Sequence, residues 1–410
     1  MGIRDAWVIG WFPFSLVLLS MVSSCSRGPS TLTVGRQPSQ AYLQLLEKFP
    51  IEDQGLSREP TFPDTEEQPL TYALLLTAES LRYRVAPTDQ GRQRIRNATN
   101  WLIANRDLDP DGKPGWGLPD AYDAFGDGTV NPANQAYTFT TAMVMPAIMD
   151  SESLPNFWSE AERAGFQHVL KQVALRWVQE AYTESSTGSF FWYSTNTNDA
   201  KFVTNDSAII AGALARLLRQ YPFLFTTSEQ ELIGERIDAA VSLVNDTAEL
   251  RNGAPFWNYW PHNNVFNPND MPHHGYTLLG MELYRDFRSQ VPLRWTRAQS
   301  VQSLEAFVKD GKLYGFPQDV TYAGAEAFRA TQPMELWGAG TQLYLYALWS
   351  DSVHSQIVWN AIQNDYGPNP DLTLWPLDFD SDKNFYARYT VHVLWGLAAR
   401  DFVQEPGAFP

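Results

Sequence analysis

The sequence predicts an all-α fold in which six helical hairpins close into a double ring, an (α/α)6 toroid. Three observations predict it. Two kinds of helical segment alternate along the chain, one amphipathic and one apolar on almost every side. The alternation occurs six times. Long polar and aromatic segments always precede the apolar kind, whereas return connections such as 221–227 and 289–295 are short.

The amphipathic segments lie near 39–49, 91–105, 158–182, 228–247, 296–310 and 352–363. In the third, Phe166, Val169, Leu170, Val173 and Trp177 share a stripe, while Glu162, Arg163, Gln167 and Lys171 face away. Ile233, Ile237, Ala240, Val241 and Val244 repeat the pattern in the fourth, with a capping box expected from Ser228 to Glu231. The fifth carries Val301, Leu304 and Val308 from a Thr296/Gln299 start to a stop at Gly311. The apolar segments start near 70, 134, 205, 274, 337 and 386. Lacking a polar face, they are expected to be buried on all sides, and Pro146 should kink or shorten the second. The spacing is too irregular for a short solenoid and fits hairpins with long loops.

Composition sets limits on function. A chain of 410 residues with 44% apolar types and 15 tryptophans has ample material for a large core. A net charge of −16 repels nucleic acid and anionic headgroups, and mildly disfavours a polyanionic substrate. The single cysteine, Cys25, excludes an intrachain disulfide. It follows Arg4, the apolar run AWVIGWFPFSLVLLSMV and two serines; Val22-Ser23-Ser24-Cys25 resembles the bacterial lipobox. The expected organisation is a signal peptide over 1–24, a tether over 25–38 lipidated at Cys25, and one toroid domain over 39–410. The resemblance implies anchoring to a bacterial membrane outside the cytoplasm, in the outer membrane or periplasm.

Chemistry is expected in the loops before the apolar helices, whose N-terminal ends share one face of a toroid. Asp107, Asp109, Asp111 and Gly112 have the D-x-D-x-D-G spacing that opens a calcium loop, although the twelfth position is Leu118 instead of Glu. They predict either a structural calcium or a metal-free acidic turn; Asp378, Asp380 and Asp382 are a second, weaker spacing of this kind. The same loops interleave aromatic rings, which stack on sugar C–H faces, with amides and carboxylates, which bind hydroxyls. Candidate sugar-binding residues are Trp116, Tyr122, Asn134, Trp192, Trp257 and Trp260. Later loops add Asn264, Trp337, Trp375, Tyr386 and Arg388. An aromatic-lined polar cleft for an oligosaccharide is the expectation.

Six hairpins with such loops resemble the (α/α)6-toroid enzymes of carbohydrate metabolism, a superfamily of inverting glycoside hydrolases, sugar epimerases and polysaccharide lyases. The resemblance spans roughly 39–403 and is architectural, so it leaves the reaction open. Inverting hydrolysis needs a protonated carboxyl and a carboxylate that activates water. Glu67 and Glu335 are the candidate acids; Asp123, Asp127, Asp206 and Asp378 are the candidate bases. A lyase or uronate epimerase needs a cation or amide on the uronate and a Tyr or His base, for which Asn264, His274, Tyr276, Arg329 and Arg388 are available. Several toroid lyases carry Asn-Asn-His-x-Tyr; His262-Asn263-Asn264 and His274-Gly275-Tyr276 hold similar residues in another order. A third reading is a tethered glycan-binding or assembly protein without catalysis. No required cofactor is expected. No nucleophile elbow, phosphate loop or dinucleotide fingerprint occurs in a fitting context, and the adjacent His273 and His274 face apart on a helix, which disfavours a zinc pair. The leading expectation is an inverting glycoside hydrolase.

Overall fold

The computed structural model describes residues 37–49, 68–260, 266–318, 320, 322, 324–366 and 387–403. Cys25, Glu67, His262, Asn263, Asn264, Trp375, Asp378 and Tyr386 lie outside them. The described residues belong to one compact unit.

Twelve helices are described, in six outer–inner pairs. They are α1 (Gln40–Leu46) with α2 (Pro69–Val85), α3 (Asp89–Ala104) with α4 (Thr138–Glu152), and α5 (Glu160–Glu180) with α6 (Thr204–Gln220). The chain continues with α7 (Thr227–Thr247) and α8 (Met271–Phe287), α9 (Arg297–Glu305) and α10 (Leu336–Leu348), and α11 (Ser352–Asp365) and α12 (Ala387–Phe402). Even-numbered helices pack in sequence, α2 on α4, α6, α8, α10 and α12, and α12 packs back on α2, so the inner ring closes. Thr77, Pro146, Arg216, Leu279, Tyr344 and Trp395, one from each inner helix, line a common cavity of about 30 Å³. That is room for about one water molecule, so the ring is plugged rather than open. Tyr344 stacks on Trp395 at 3.5 Å, and a buried Asp150–Arg216 ion pair lies beside them.

The sequence explains this layering. Inner helices bury almost every residue because they have no polar face. Outer helices bury one stripe, for example Phe166, Val169, Leu170, Val173 and Trp177 of α5. Capping boxes start α5 (Ser159–Glu162), α7 (Thr226–Glu229) and α9 (Thr296–Gln299). The box of α7 therefore lies two residues before the expected Ser228–Glu231. Buried carboxylates pin inner helices to their outer neighbours: Glu79 of α2 accepts from Tyr42 Oη of α1 (2.6 Å) and lies 3.7 Å from Arg94 Nη1 of α3, and Glu282 of α8 accepts from Arg297 Nε (2.9 Å) and Ser300 Oγ (2.8 Å) of α9.

α4 runs through Pro146 to Glu152, so of the expected kink or shortening the shortening does not occur. One expectation is corrected. α9 stops at Glu305, because Val308–Lys309 (β5) pairs with Lys312–Leu313 (β6) across Asp310 and Gly311, both at positive φ. Tyr182–Thr183 (β1) with Phe190–Phe191 (β2), and Glu249–Arg251 (β3) with Ala254–Phe256 (β4), form matching hairpins after α5 and α7.

Candidate active site

The long loops deliver their chains to the N-termini of the inner helices, and side chains from those ends meet. Phe139 of α4 lies 4.5 Å from Tyr276 of α8, centroid to centroid. The Tyr276 hydroxyl reaches across to His392 Nε2 of α12 at 2.6 Å. Trp337 of α10 packs edge-on against His273 of α8 (5.5 Å) and Tyr389 of α12 (5.6 Å). Loop residues raise the wall. Tyr259 lies 4.9 Å from His273, Trp260 lies 5.3 Å from Phe125, and Phe125 lies 5.0 Å from Tyr193. The result is an aromatic cup over the inner-ring N-termini.

Three carboxylates share this cup through His273. Asp270 is the N-cap of α8: its side chain accepts from the His273 backbone N–H (3.2 Å) and lies 2.5 Å from His273 Nδ1. Asp206, in the first turn of α6, is 1% exposed. Its Oδ2 accepts from Asn205 Nδ2 at 3.0 Å, and its Oδ1 has no partner among the described residues. Burial pushes the Asp206 carboxyl up to about 7, in spite of the opposing pull of His273 and of hydrogen bonds from the Phe139 backbone N–H and Asn205. Burial would depress His273, but Asp270, then Asp206 and Glu335, outweigh it and raise the imidazole above its usual value. Glu335 precedes α10 as its N-cap residue and accepts from Trp337 Nε1. The arrangement places a carboxyl able to hold its proton at neutral pH among an imidazole and further carboxylates, under a ring of aromatic faces.

Other candidates are placed elsewhere. His274 is 1% exposed and packs outward between Phe256 and Phe307, with Nε2 on Ser303 Oγ of α9 at 3.0 Å. Burial pushes it down to about 3, so it stays neutral. The neighbour His273 is the one in the cup, about 100° round the helix. Tyr276 lies beneath the cup. His392 Nδ1 faces the Arg388 carbonyl at 2.6 Å, which fixes its Nε2 as the acceptor of the Tyr276 proton. Burial raises the Tyr276 phenol well above its usual range, so it is not a base at neutral pH.

Trp116 and Trp257 are corrected from sugar platforms to structural plugs. Both are buried, and their indole N–H groups donate to Leu102 O (2.8 Å) and Val244 O (2.9 Å), carbonyls in the last turns of α3 and α7. Trp192 is half-buried and donates to Thr183 Oγ1 of β1 at 2.8 Å. Asn134 turns the chain at φ 64°. Tyr122 is exposed and pairs by its backbone with Asn131. Asp123 folds its own loop by accepting from the N–H groups of Phe125, Asp127 and Gly128. Asp127 is exposed and held down to about 2 by Lys201, 2.6 Å away, and by the Thr129 N–H. Arg388 lies over the Tyr389 ring at 5.0 Å, beside the cup.

The acidic turn gathers a guanidinium. Arg176 Nη2 lies 3.3 Å from Asp109 and 2.8 Å from Asp111, while Asp107 faces Arg106 at 3.9 Å. Asp109 is buried and also accepts from Ala136 N (2.7 Å) and Thr195 Oγ1 (2.9 Å). Burial alone would raise its pKa; these bonds and Arg176 bring it below the usual value. Among the described residues no three His, Cys, Asp or Glu side chains are grouped to hold a metal ion.

No family model and no curated protein matches this chain by sequence. Solved structures do match in three dimensions. A glycoside hydrolase family 76 α-mannanase of Bacteroides thetaiotaomicron superposes with a TM-score of 0.59 at 10% identity, over 89% of this chain and 96% of that one. The cellobiose 2-epimerase of Spirochaeta thermophila gives 0.55 at 13%, over 88% and 94%. An inactive α-1,6-mannanase variant from Salegentibacter sp., with two adjacent aspartates replaced by asparagine and α-1,6-mannotriose bound, gives 0.55 at 9%, over 89% and 98%. At such identities the likeness establishes the fold, and the fold is the (α/α)6 toroid.

Proposed function

We propose that the chain is a glycoside hydrolase acting on a neutral oligosaccharide, tethered outside the cytoplasm through a lipid on Cys25. The observation that carries this reading is Asp206: a buried carboxyl pushed up to about 7, at the first turn of an inner helix beneath aromatic rings and within the electrostatic reach of His273. Glycosidic oxygen is a poor leaving group unless a proton arrives as the bond breaks, and a carboxyl titrating near neutrality supplies one.

In this reading Asp206 gives its proton to the glycosidic oxygen as the C–O bond breaks. Glu335 takes a proton from a water whose oxygen bonds the anomeric carbon from the opposite face, with inversion. Both groups regain their starting states by exchange with solvent. These roles reverse those expected from the sequence, where Glu335 is the acid, because burial singles out Asp206. His273, held by Asp270, stabilises the ionised Asp206 left after proton transfer. The fold neighbours support the substrate class, and the bound mannotriose in one of them makes α-1,6-linked mannosides the first substrates to assay.

One observation favours a second reading. The His273–Asp270 pair at 2.5 Å suits removal of a proton from a sugar carbon, the chemistry of a 2-epimerase.

The test is incubation of the purified protein with α-1,6-mannotetraose, cellobiose and cellotetraose, with products followed by mass and by the anomer formed. Hydrolysis predicts shorter products of inverted configuration. Asp206→Asn should lower kcat by about 10²–10⁴-fold while the sugar still binds. Products of unchanged mass with altered C2 configuration would favour the epimerase. Full activity in Asp206→Asn would overturn the assignment of the acid.

A further inference from the structure

A pocket of about 360 Å³ opens beside the cup, between the loop that precedes α8 and the loop that precedes α10. It shares Tyr259, Trp260, Asp270 and His273 with the wall of the cup and extends from them to Asn269, Phe316 and Arg329. Its size lies at the lower end of the range for small-ligand sites. Trp260 is 40% exposed, unusual for so large a ring, and is braced by Tyr259 (5.8 Å) and Phe125 (5.3 Å) rather than sunk in the core. Asn269 is 4% exposed; its Nδ2 donates to Thr204 Oγ1 (3.3 Å), but its Oδ1 has no partner among the described residues. A buried amide oxygen left unpaired costs about 1–3 kcal/mol, so an outside donor at that position would be favourable.

We infer that this pocket is a second subsite, which takes a neutral pyranose unit adjacent to the one in the cup: Trp260 offers its face to the ring, and Asn269 Oδ1 accepts from a hydroxyl. The inference rests on the glycan reading of the cup and gives it a length requirement. A sugar that fills the cup alone leaves the pocket unused. A longer one crosses the shared wall at His273 and gains both contacts. The preferred substrate is therefore an oligomer rather than a monosaccharide or its simple glycoside.

The experiment compares probes of one and two sugar units, methyl β-glucoside with cellobiose and methyl α-mannoside with α-1,6-mannobiose, by calorimetric binding to the full chain and by kcat/KM wherever turnover is seen. The wild type should bind the longer member of at least one pair about tenfold more tightly, equivalent to about 1.4 kcal/mol. Trp260→Ala and Asn269→Ala should each erase most of that advantage, and Trp260→Phe should restore it. Thermal melting identifies any variant that fails to fold, in which case the other variant decides. If Trp260→Ala weakens short and long sugars by the same factor, or no probe binds, the subsite is overturned. Length-dependent binding without turnover would leave the subsite standing and remove the hydrolase.

Discussion

A carboxyl group kept protonated to pH 7 is a burden on the fold. The unfolded chain ionises Asp206 at the ordinary aspartate pKa, near 3.9; the folded chain ionises it at about 7. Between these values the native state holds the extra proton, so stability falls as pH rises through that window and the penalty is complete above it. The difference is on the order of 4 kcal/mol. Asp206→Asn removes it. We expect the variant to melt above the wild type at pH 8 and level with it at pH 3.5, in contrast to its loss of activity; a melting difference independent of pH would contradict the burial of the charge. At this scale the sequence was only partly legible. Asp206 and Glu335 could be nominated because an acidic residue at the start of an apolar helix is visible in the string. Which of His273 and His274 faces the axis depends on a helix rotation of about 100°, fixed by what each packs against, and the sequence alone does not give it. Trp116 and Trp257 misled because an indole is equally suited to a sugar and to a helix carbonyl, and only the distance to Leu102 O or Val244 O separates the two.

Among the elements, the closest packing is glycine-controlled. A Cβ on Gly280 of α8 would lie 2.2 Å from the Ala208 carbonyl oxygen of α6, and one on Gly212 of α6 would lie 2.4 Å from the Gly280 oxygen. Backbone has no rotamer with which to give way, so the two helices would have to separate. Gly280→Ala should therefore cost at least 1–3 kcal/mol by chemical denaturation; a stability change under 0.5 kcal/mol would mean that α6 and α8 are not seated so closely. The twelve helices were readable because period and burial agree: a stripe of apolar residues makes an outer helix, and an unbroken apolar run makes an inner one. The starts of α6 and α10 fall within a residue of their expected positions. The three small hairpins were not foreseen, although Asn252-Gly253 and Asp310-Gly311 are strong hairpin turns. The apolar spacing of Val301, Leu304 and Val308 suggests a helix over 296–310 and competes with that turn signal, and in the structure the turn wins.

For the molecule as a whole, charge and closure matter most. The chain carries −16 in formal charge, and like charges repel most in the compact state. Raising salt from about 0.01 to 0.15 M shortens the screening length from about 30 to 8 Å, so the melting temperature at pH 7.5 should rise with added sodium chloride; a fall would show that attractive ion pairs such as Arg176 with Asp109 and Asp111 dominate instead. Closure could be anticipated from the sixfold alternation alone, because a ring is the arrangement that buries both sides of every inner helix. Closure also brings α12 against α2, and the Ser39 N–H donates to Asp401 Oδ2 at 2.7 Å. The first hairpin and the last are thus neighbours like any other two. A circle has no privileged beginning: a short peptide bridge from residue 403 to residue 37, with the backbone opened instead at the exposed return turn around Phe223, keeps every neighbour relation in the barrel while renumbering its hairpins.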